Sequence, residues 1–230
     1  MMLRAVICGV AMAFGTWAEA EPLRPQPRVL PVVEEDAVTR RPDDRPAARD
    51  NALPRARWER RQDGDLWTRV ALAAVNTHGR ALLDIVPTDI ADWCPAYAGN
   101  SHVQRAAFWA GLLSTLSRYE STWNPNAVGG GGQWFGLLQI YPPTAEFRHC
   151  EVQTGEALKH GPSNLNCAVR IMSVTVPRDN AISTQDTRWR GVAADWGPIR
   201  NDWMRRDMQR YTKRQTYCRA LAEVRPTPRP

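Results

Sequence analysis

A stripe of apolar residues between positions 106 and 120 gives the strongest helical pattern in the chain. Its members, spaced three or four residues apart, are Ala106, Trp109, Leu113, Leu116 and Glu120. This spacing places side chains on one face of an α-helix, and Ser101 is a residue type that caps helix N-termini well. The pattern predicts a helix from His102 to Glu120, whose apolar face ends in a carboxyl group.

A second helical pattern precedes this one, with apolar positions from Leu66 to Ile85 and a break near Gly79. Pro87 ends it, because proline cannot continue a helix. Further helical patterns cover residues 142–148, 164–176, 186–195 and 200–222. No segment of useful length alternates cleanly between apolar and polar residues. Residues 64–225 are therefore predicted to form one mostly α-helical domain.

The first twenty residues have the pattern of an export signal. A positively charged start, Met1 to Arg4, precedes an apolar stretch from Ala5 to Trp17. Ala18-Glu19-Ala20 follows with the small-x-small pattern of a cleavage site. The apolar stretch is too short to span a bilayer comfortably. We expect cleavage after Ala20 and a periplasmic location, with release outside the cell left open.

The segment after this signal is rich in proline and charge. Residues 21–63 contain seven prolines, and their apolar residues show no sustained period. Such a segment cannot bury enough surface to offset its conformational entropy. Residues 21–63 are predicted to be a disordered linker, and residues 226–230 a disordered tail.

Four cysteines remain after cleavage of the signal, and an even number in an exported protein indicates two disulfides. Three pairings are open. We favour Cys150–Cys167, which closes a short loop, and Cys94–Cys218, which clips the two ends of the domain together.

A metal site is the competing use of the same cysteines. It would combine His149, Cys150, His160 and Cys167. Their spacing matches none of the usual zinc patterns, so neither a metal nor a cofactor is expected.

Composition narrows the class of protein. Hydrophobic residues make up 43% of the chain and charged residues 23%, which excludes a wholly disordered chain. No apolar stretch reaches about 18 residues, so stable membrane insertion is not expected. The net charge is +6, with 28 arginines scattered among acidic residues. This pattern favours an anionic envelope polymer over nucleic acid as the partner, and a monomer is expected.

Glu120 is the leading candidate for chemistry. A carboxyl group at the end of an apolar stripe is poorly solvated, which raises its pKa by disfavouring the charged form. A raised pKa suits a general acid near neutral pH. Taken alone this evidence is weak, because a glutamate at a helix end is usually just solvated.

Two linked motifs surround this glutamate. The first motif is Glu120-Ser121-x-Trp123-Asn124-Pro125-x-Ala127, and the second is Gly136-Leu137-Leu138-Gln139-Ile140. Together they resemble the SLT-type lytic transglycosylases, the soluble lytic murein transglycosylase family with a lysozyme-like fold. Pro143-Thr144-Ala145 and Asn164-Leu165-Asn166 resemble the family's later segments. The resemblance covers residues 100–200.

The resemblance implies a function and a set of roles. These enzymes cleave the β-1,4 bond between N-acetylmuramic acid (MurNAc) and N-acetylglucosamine (GlcNAc) in peptidoglycan and leave a 1,6-anhydromuramoyl end. A single glutamate serves as acid and then as base, which assigns Glu120 to catalysis. Ser121 would orient the glycan, Gln139 would line the cleft, and Asn164, at the start of a helix near the cleft, would bind substrate. Trp134 would stack on a sugar or belong to the core, and the glycine run before it would approach the sugar closely or form a flexible turn.

One position departs from the family pattern. The family's usual Ala-Tyr-Asn-x-Gly stands here as Ala193-Ala194-Asp195-Trp196-Gly197. Asp195 is expected to hydrogen-bond substrate, but it would also suit a second catalytic carboxylate. A lysozyme-like muramidase that hydrolyses the same bond is therefore one alternative. A catalytically weak peptidoglycan-binding protein is another.

Overall fold

The computed structural model describes residues 53–219, and this part of the chain is mostly helical. The predicted signal, most of the predicted linker and the predicted tail lie outside the described residues. The helices are α1 (Gly64–Asn76), α2 (Ala81–Asp84), α3 (His102–Ser121), α4 (Pro142–Phe147), α5 (Gly155–Leu158), α6 (Gly161–Asp179), α7 (Val192–Asp195), α8 (Gly197–Arg200) and α9 (Asp202–Lys213). Within residues 53–219, no helix combines the length and apolar character needed to cross a membrane.

Helix α3 lies at the centre of the domain, as its pattern predicted. The Ser101 hydroxyl accepts from the backbone N–H of Gln104, and the Gln104 side chain accepts from the backbone N–H of Ser101. This reciprocal capping box satisfies two N–H groups that a helix start leaves unpaired. Every residue from 106 to 117 is buried. The helix is thus enclosed on all sides, although the sequence indicated a single buried stripe.

Two helices pack against α3 and α6 where the sequence predicted one broken helix. Helix α1 contacts both α3 and α6, and α2 also contacts both. The break between α1 and α2 falls at residues 77–80, as expected from Gly79. A Cβ atom on Gly79 would lie 2.4 Å from the Val169 side chain and 2.8 Å from the Val75 Cα atom. Glycine is therefore required where α6 passes this turn.

A short antiparallel hairpin interrupts the helical pattern. Strand β1 (Val128–Gly129) pairs with β2 (Trp134–Phe135), and Val128 lies opposite Phe135. Phe135 also forms a bridge with Ile140. Strands this short carry too little alternation to be visible in the sequence.

The later helices depart from the predicted boundaries. The helix predicted over 186–195 is wrong except for α7, because Gln185 and Trp189 form an antiparallel bridge across a loop. Gly191 then turns the chain with φ = +64°. The helix predicted over 200–222 is α9 followed by a short 3₁₀ turn, Thr216–Cys218.

The domain begins earlier than predicted, because residues 53–63 are part of the folded structure. Trp58 is completely buried, and its indole N–H donates to the Thr68 hydroxyl at 2.8 Å. The backbone N–H of Arg57 donates to the Ser114 hydroxyl at 2.9 Å. The linker prediction is therefore wrong for this stretch. The prolines and charges of this stretch indicated disorder, but the burial of Trp58 outweighs the entropy cost of ordering it.

Both predicted disulfides are present. Cys94 is bonded to Cys218, and Cys150 is bonded to Cys167. All four cysteines are buried. The first bond joins residues 124 positions apart, and the second joins residues 17 positions apart. Cys150 and Cys167, the two cysteines of the alternative metal cluster, are therefore bonded to each other.

We expect Trp58→Ala to lower the free energy of unfolding by about 3–5 kcal/mol, because it removes a fully buried indole. Urea unfolding of the full chain measures this change. Arg60→Ala is the matched control, since Arg60 is exposed in the same segment, and it should change stability by less than about 0.5 kcal/mol. Equal stabilities for the two variants would contradict the revised domain boundary.

Candidate active site

An open groove of about 410 Å³ lies where the end of α3, the hairpin and the start of α8 meet. Its lining residues are Glu120, Gly129, Gly130, Trp134, Gln139, Asp195, Trp196, Gly197, Pro198 and Arg200. Four residues that the sequence singled out, Glu120, Trp134, Gln139 and Asp195, are therefore brought together. The groove is where their chemistry would combine.

Glu120 is the carboxyl group with the most strongly altered acidity in this groove. Burial raises its pKa from 4.5 to about 8, and no other cause contributes among the described residues. A carboxyl group with this pKa is mostly protonated at neutral pH, because the protein has replaced water around it without supplying a cation. The sequence-based expectation of a poorly solvated glutamate agrees with this environment.

The backbone turns sharply just after Glu120. Thr122 and Trp123 both adopt left-handed conformations, with φ of 53° and 58°. Side chains with a Cβ atom rarely adopt this conformation, and doing so costs free energy. The Trp123 indole N–H donates to the Ser114 carbonyl at 2.8 Å and holds the turn in place. Helix α3 thus ends one residue after the carboxyl group.

A buried asparagine supports the turn that carries the second motif. The Asn164 amide donates to the carbonyls of Phe135 and Leu158, each at 2.9 Å. Its oxygen accepts from the Leu138 N–H at 2.9 Å. The side chain is completely buried. Both N–H donors of its amide are therefore used to shape the turn beneath the groove, and a contact of Asn164 with substrate stays a prediction.

Two further side chains tie this turn to the rest of the groove. The Ser121 hydroxyl is 2.9 Å from the Leu137 carbonyl, and the Trp196 indole N–H donates to the Leu138 carbonyl at 2.9 Å. Ser121 is not among the groove-lining residues, and its hydroxyl holds the turn; its role in orienting the glycan stays a prediction. Trp196 was not identified from the sequence, and nothing in its local pattern distinguishes it from a core tryptophan.

Gln139 presents its amide oxygen to the groove. The amide nitrogen donates to the carbonyls of Gly136 at 2.9 Å and Ala127 at 3.2 Å. Its backbone is left-handed, with φ = +46°. A Cβ atom on Gly129 would lie 2.3 Å from the amide oxygen. The nitrogen is therefore used internally, and the oxygen remains as an acceptor beside a glycine.

The glycine run lets a tryptophan lie flat against the backbone. A Cβ atom on Gly130 would lie 1.8 Å from the Trp134 ring, and Gly130 has φ = +55°. Trp134 itself is 43% exposed. At Gly129 and Gly130 the close approach is made by side chains of the protein itself, and Trp134 lies at the surface of the groove, not in the core.

Asp195 and Arg200 contribute opposite charges to the groove. Asp195 is exposed, and partial enclosure by the protein still raises its pKa, while the positive charges of Arg148 and Arg178 oppose that shift. The Arg200 guanidinium donates to the carbonyls of Ala193 and Ala194, each at 2.7 Å. The sequence did not identify Arg200, since it is one of many scattered arginines.

A polar cluster supports α3 just before Glu120. The Tyr119 hydroxyl donates to Asp207 on α9 at 2.6 Å. Arg57 donates to the same carboxylate oxygen, and to the Thr115 hydroxyl at 2.9 Å. These hydrogen bonds and charges leave the pKa of Asp207 lowered to about 2 although burial opposes them. The cluster joins the N-terminal segment, α3 and α9.

Comparison with known proteins shows which family this part of the chain resembles. Residues 100–194 match the family described as the Transglycosylase SLT domain. This part of the chain is therefore similar to an SLT transglycosylase domain. The matched range includes both motifs, the hairpin and half of the residues that line the groove, so the resemblance predicted from the two motifs is confirmed.

Solved structures of DslA share the fold around this part of the chain. The wild-type form 2 structure is 26% identical, with a TM-score of 0.66, and the match covers 73% of this chain and 100% of that one. A Glu-to-Gln mutant of DslA matches with the same identity and coverage and a TM-score of 0.67. No curated protein sequence matches the chain.

The raised pKa of Glu120 makes a prediction for stability. The unfolded chain loses this proton near pH 4.5, whereas the folded chain keeps it until about pH 8. The free energy of unfolding therefore falls as pH rises through this window, and the penalty is complete above about pH 8. Glu120→Gln should be more stable than the wild type at pH 9 by on the order of 2–4 kcal/mol, and equally stable at pH 4.

Urea unfolding at the two pH values measures this difference. Glu146→Gln is the control, because Glu146 is an exposed carboxylate on α4 and its replacement removes the same charge without relieving burial. A Glu120→Gln effect that is the same at pH 4 and pH 9 would show that Glu120 titrates normally.

Proposed function

We propose that this protein is a lytic transglycosylase that cleaves the β-1,4 bond between MurNAc and GlcNAc in peptidoglycan and forms a 1,6-anhydromuramoyl end. The observation that carries the proposal is Glu120, a carboxyl group with a pKa of about 8 that lines an open groove of the domain. A group that is protonated at neutral pH and can then hold a negative charge suits both halves of this reaction.

The reaction uses one carboxyl group twice, first as an acid and then as a base. Glu120 donates its proton to the glycosidic oxygen as the bond from that oxygen to the muramoyl C1 breaks, and positive charge develops on the sugar ring. The Glu120 carboxylate then accepts the proton of the muramoyl 6-hydroxyl while that oxygen bonds to C1. Water is not consumed, and Glu120 ends protonated again.

The remaining groove residues would bind and orient the glycan. The exposed face of Trp134 would pack against a sugar ring, as aromatic rings do with apolar sugar faces. The free oxygen of Gln139 would accept a hydrogen bond from a sugar hydroxyl or N-acetyl N–H. Gly129 and Gly130 let the Gln139 amide and the Trp134 ring approach the backbone, which holds both side chains at the groove. Ser121 and Trp196 act through the turn that they hold.

Hydrolysis by a muramidase is the second candidate, and Asp195 is the observation that favours it. Its carboxyl group lines the same groove as Glu120. A pair of carboxyl groups beside a glycosidic bond is the usual arrangement of hydrolysing glycosidases. The two candidates differ in their product, which has a 1,6-anhydro end in one case and a reducing end in the other.

The site of action that we propose is the periplasm, reached by export and cleavage after Ala20. The two buried disulfides support this location, because such bonds persist in oxidising compartments. We further propose that the enzyme acts as a monomer without a cofactor, since its reaction needs only a proton donor, a proton acceptor and a bound glycan.

Glu120→Gln should lower kcat on purified sacculi by about 10²–10⁴-fold or more, because the amide cannot exchange a proton with either oxygen. Asp195→Asn should stay within about tenfold of the wild type, or about 1.4 kcal/mol in barrier. Mass spectrometry of the released muropeptides measures both turnover and product. Glu146→Gln should match the wild type. Loss of activity in Asp195→Asn together with reducing-end products would favour the muramidase.

The pH dependence of kcat/KM should show Glu120 directly. Activity requires its protonated form, so kcat/KM should fall about tenfold per pH unit above pH 8, where the group ionises. Asp195→Asn should keep this basic limb. Initial rates on soluble glycan strands between pH 5 and pH 10 give the profile. A limb near pH 5, or one that moves strongly in Asp195→Asn, would assign the acid to another group.

A further inference from the structure

A second groove of about 520 Å³ adjoins the one that contains Glu120. It is lined by residues of the loop before α7 together with Arg178 and Arg200. Asp195 and Arg200 line both grooves. We propose that this second groove binds the carboxylates of the peptide stem that a glycan strand carries on its MurNAc units. The proposal rests on the proposed function, since it assumes that the first groove holds the glycan.

Positive charge dominates the second groove. Three guanidinium groups, those of Arg178, Arg188 and Arg200, line it, against the single carboxylate of Asp195. Arg178 is paired with Asp179. Within residues 53–219, the ion pairs include neither Arg188 nor Arg200. Two cations are therefore available for an anionic ligand.

Arg200 is held in position before any ligand arrives. Its Nε and one Nη atom each donate to a backbone carbonyl at 2.7 Å. Carbonyl oxygens orient a guanidinium group without cancelling its charge. Three of its five N–H donors remain, and a planar guanidinium binds carboxylates well in this arrangement. A cation ordered in advance loses little entropy when it binds.

The acidic residues of the neighbouring loop do not compete for these cations. Asp186 accepts from the Arg190 guanidinium at 2.7 Å and from the Arg188 backbone N–H at 3.0 Å. Asp179 accepts from Arg178 and from the Gly191 N–H, each at 2.7 Å. Both carboxylates thus shape the loop, and the Arg188 side chain is left exposed.

The chemistry of the substrate matches this groove. The peptide stems of peptidoglycan are attached to MurNAc and carry free carboxylates, whereas the glycan itself is neutral. A strand whose reacting bond lies at Glu120 would pass Asp195 and Arg200, so its peptide would reach the second groove. Gln185 and Thr187 line that groove too, and their side chains suit the polar backbone of a peptide.

The test uses binding, so that it does not depend on turnover. The full chain carrying Glu120→Gln is titrated by calorimetry with three soluble glycan strands: strands with peptide stems, strands with amidated stem carboxylates, and strands stripped of peptide whose exposed lactyl carboxylates are amidated. We expect stems with free carboxylates to bind about fivefold more tightly than the other two. Raising the salt from 0.05 M to 0.5 M should remove most of this difference.

Arg188→Gln in the same background should reduce the preference about threefold, within the range of exposed ion pairs, and Arg188→Glu should abolish it. Neither change should alter the affinity for stripped strands. Arg69→Gln is the matched control, because Arg69 is exposed on α1 and lies outside both grooves. Equal affinities for free and amidated stems, or a preference that Arg188→Glu leaves intact, would overturn the proposal. A wild-type protein that binds with this preference but releases no muropeptides would contradict the proposed function alone.

Discussion

The groove depends on one buried amide, that of Asn164, which makes two hydrogen bonds with the backbone of the turn from Phe135 to Ile140 and a third with the Leu158 carbonyl. A buried polar group left without a partner costs about 1–3 kcal/mol, so this turn has one favourable arrangement. Gly136 permits it, because a Cβ atom there would lie 2.4 Å from the Asn164 amide. The contacts of Ser121 and Trp196 then align the end of α3 and the start of α8 with the turn.

The acidity of Glu120 follows from where α3 ends. The helix is buried on all sides up to residue 117, and the chain leaves it through two left-handed residues, Thr122 and Trp123. This places the carboxyl group at the boundary between the core and the groove. Desolvation then raises its pKa without the help of a second charge. The left-handed backbone of Thr122 and Trp123 and the burial of the Glu120 carboxyl group both cost free energy. Such costs often occur together at functional sites.

Asp195 and Arg200 connect the chemistry of the groove to the charge of its surroundings. Because both line two adjoining grooves, one element, the short α7–α8 segment, would contact both the neutral glycan and its anionic peptide. The Arg200 guanidinium anchors the segment by donating to the Ala193 carbonyl, and the Trp196 indole anchors it by donating to the Leu138 carbonyl. A basic protein with scattered arginines can thus place a few of them where they would favour one substrate.

The sequence by itself determined the helical class, the helix carrying Glu120 and the family motifs, because these depend on local spacing. Its even cysteine count indicated two disulfides, but only the tertiary structure decided among the three pairings. The sequence also predicted the unusual acidity of Glu120 from its place at the end of an apolar stripe. Tertiary structure decided the rest. Trp58 joins the core despite its proline-rich neighbours, and Asn164 lies beneath the groove instead of in it. Whether a polar side chain faces solvent or backbone depends on residues that are distant in the chain. The local sequence pattern contains no information about those residues.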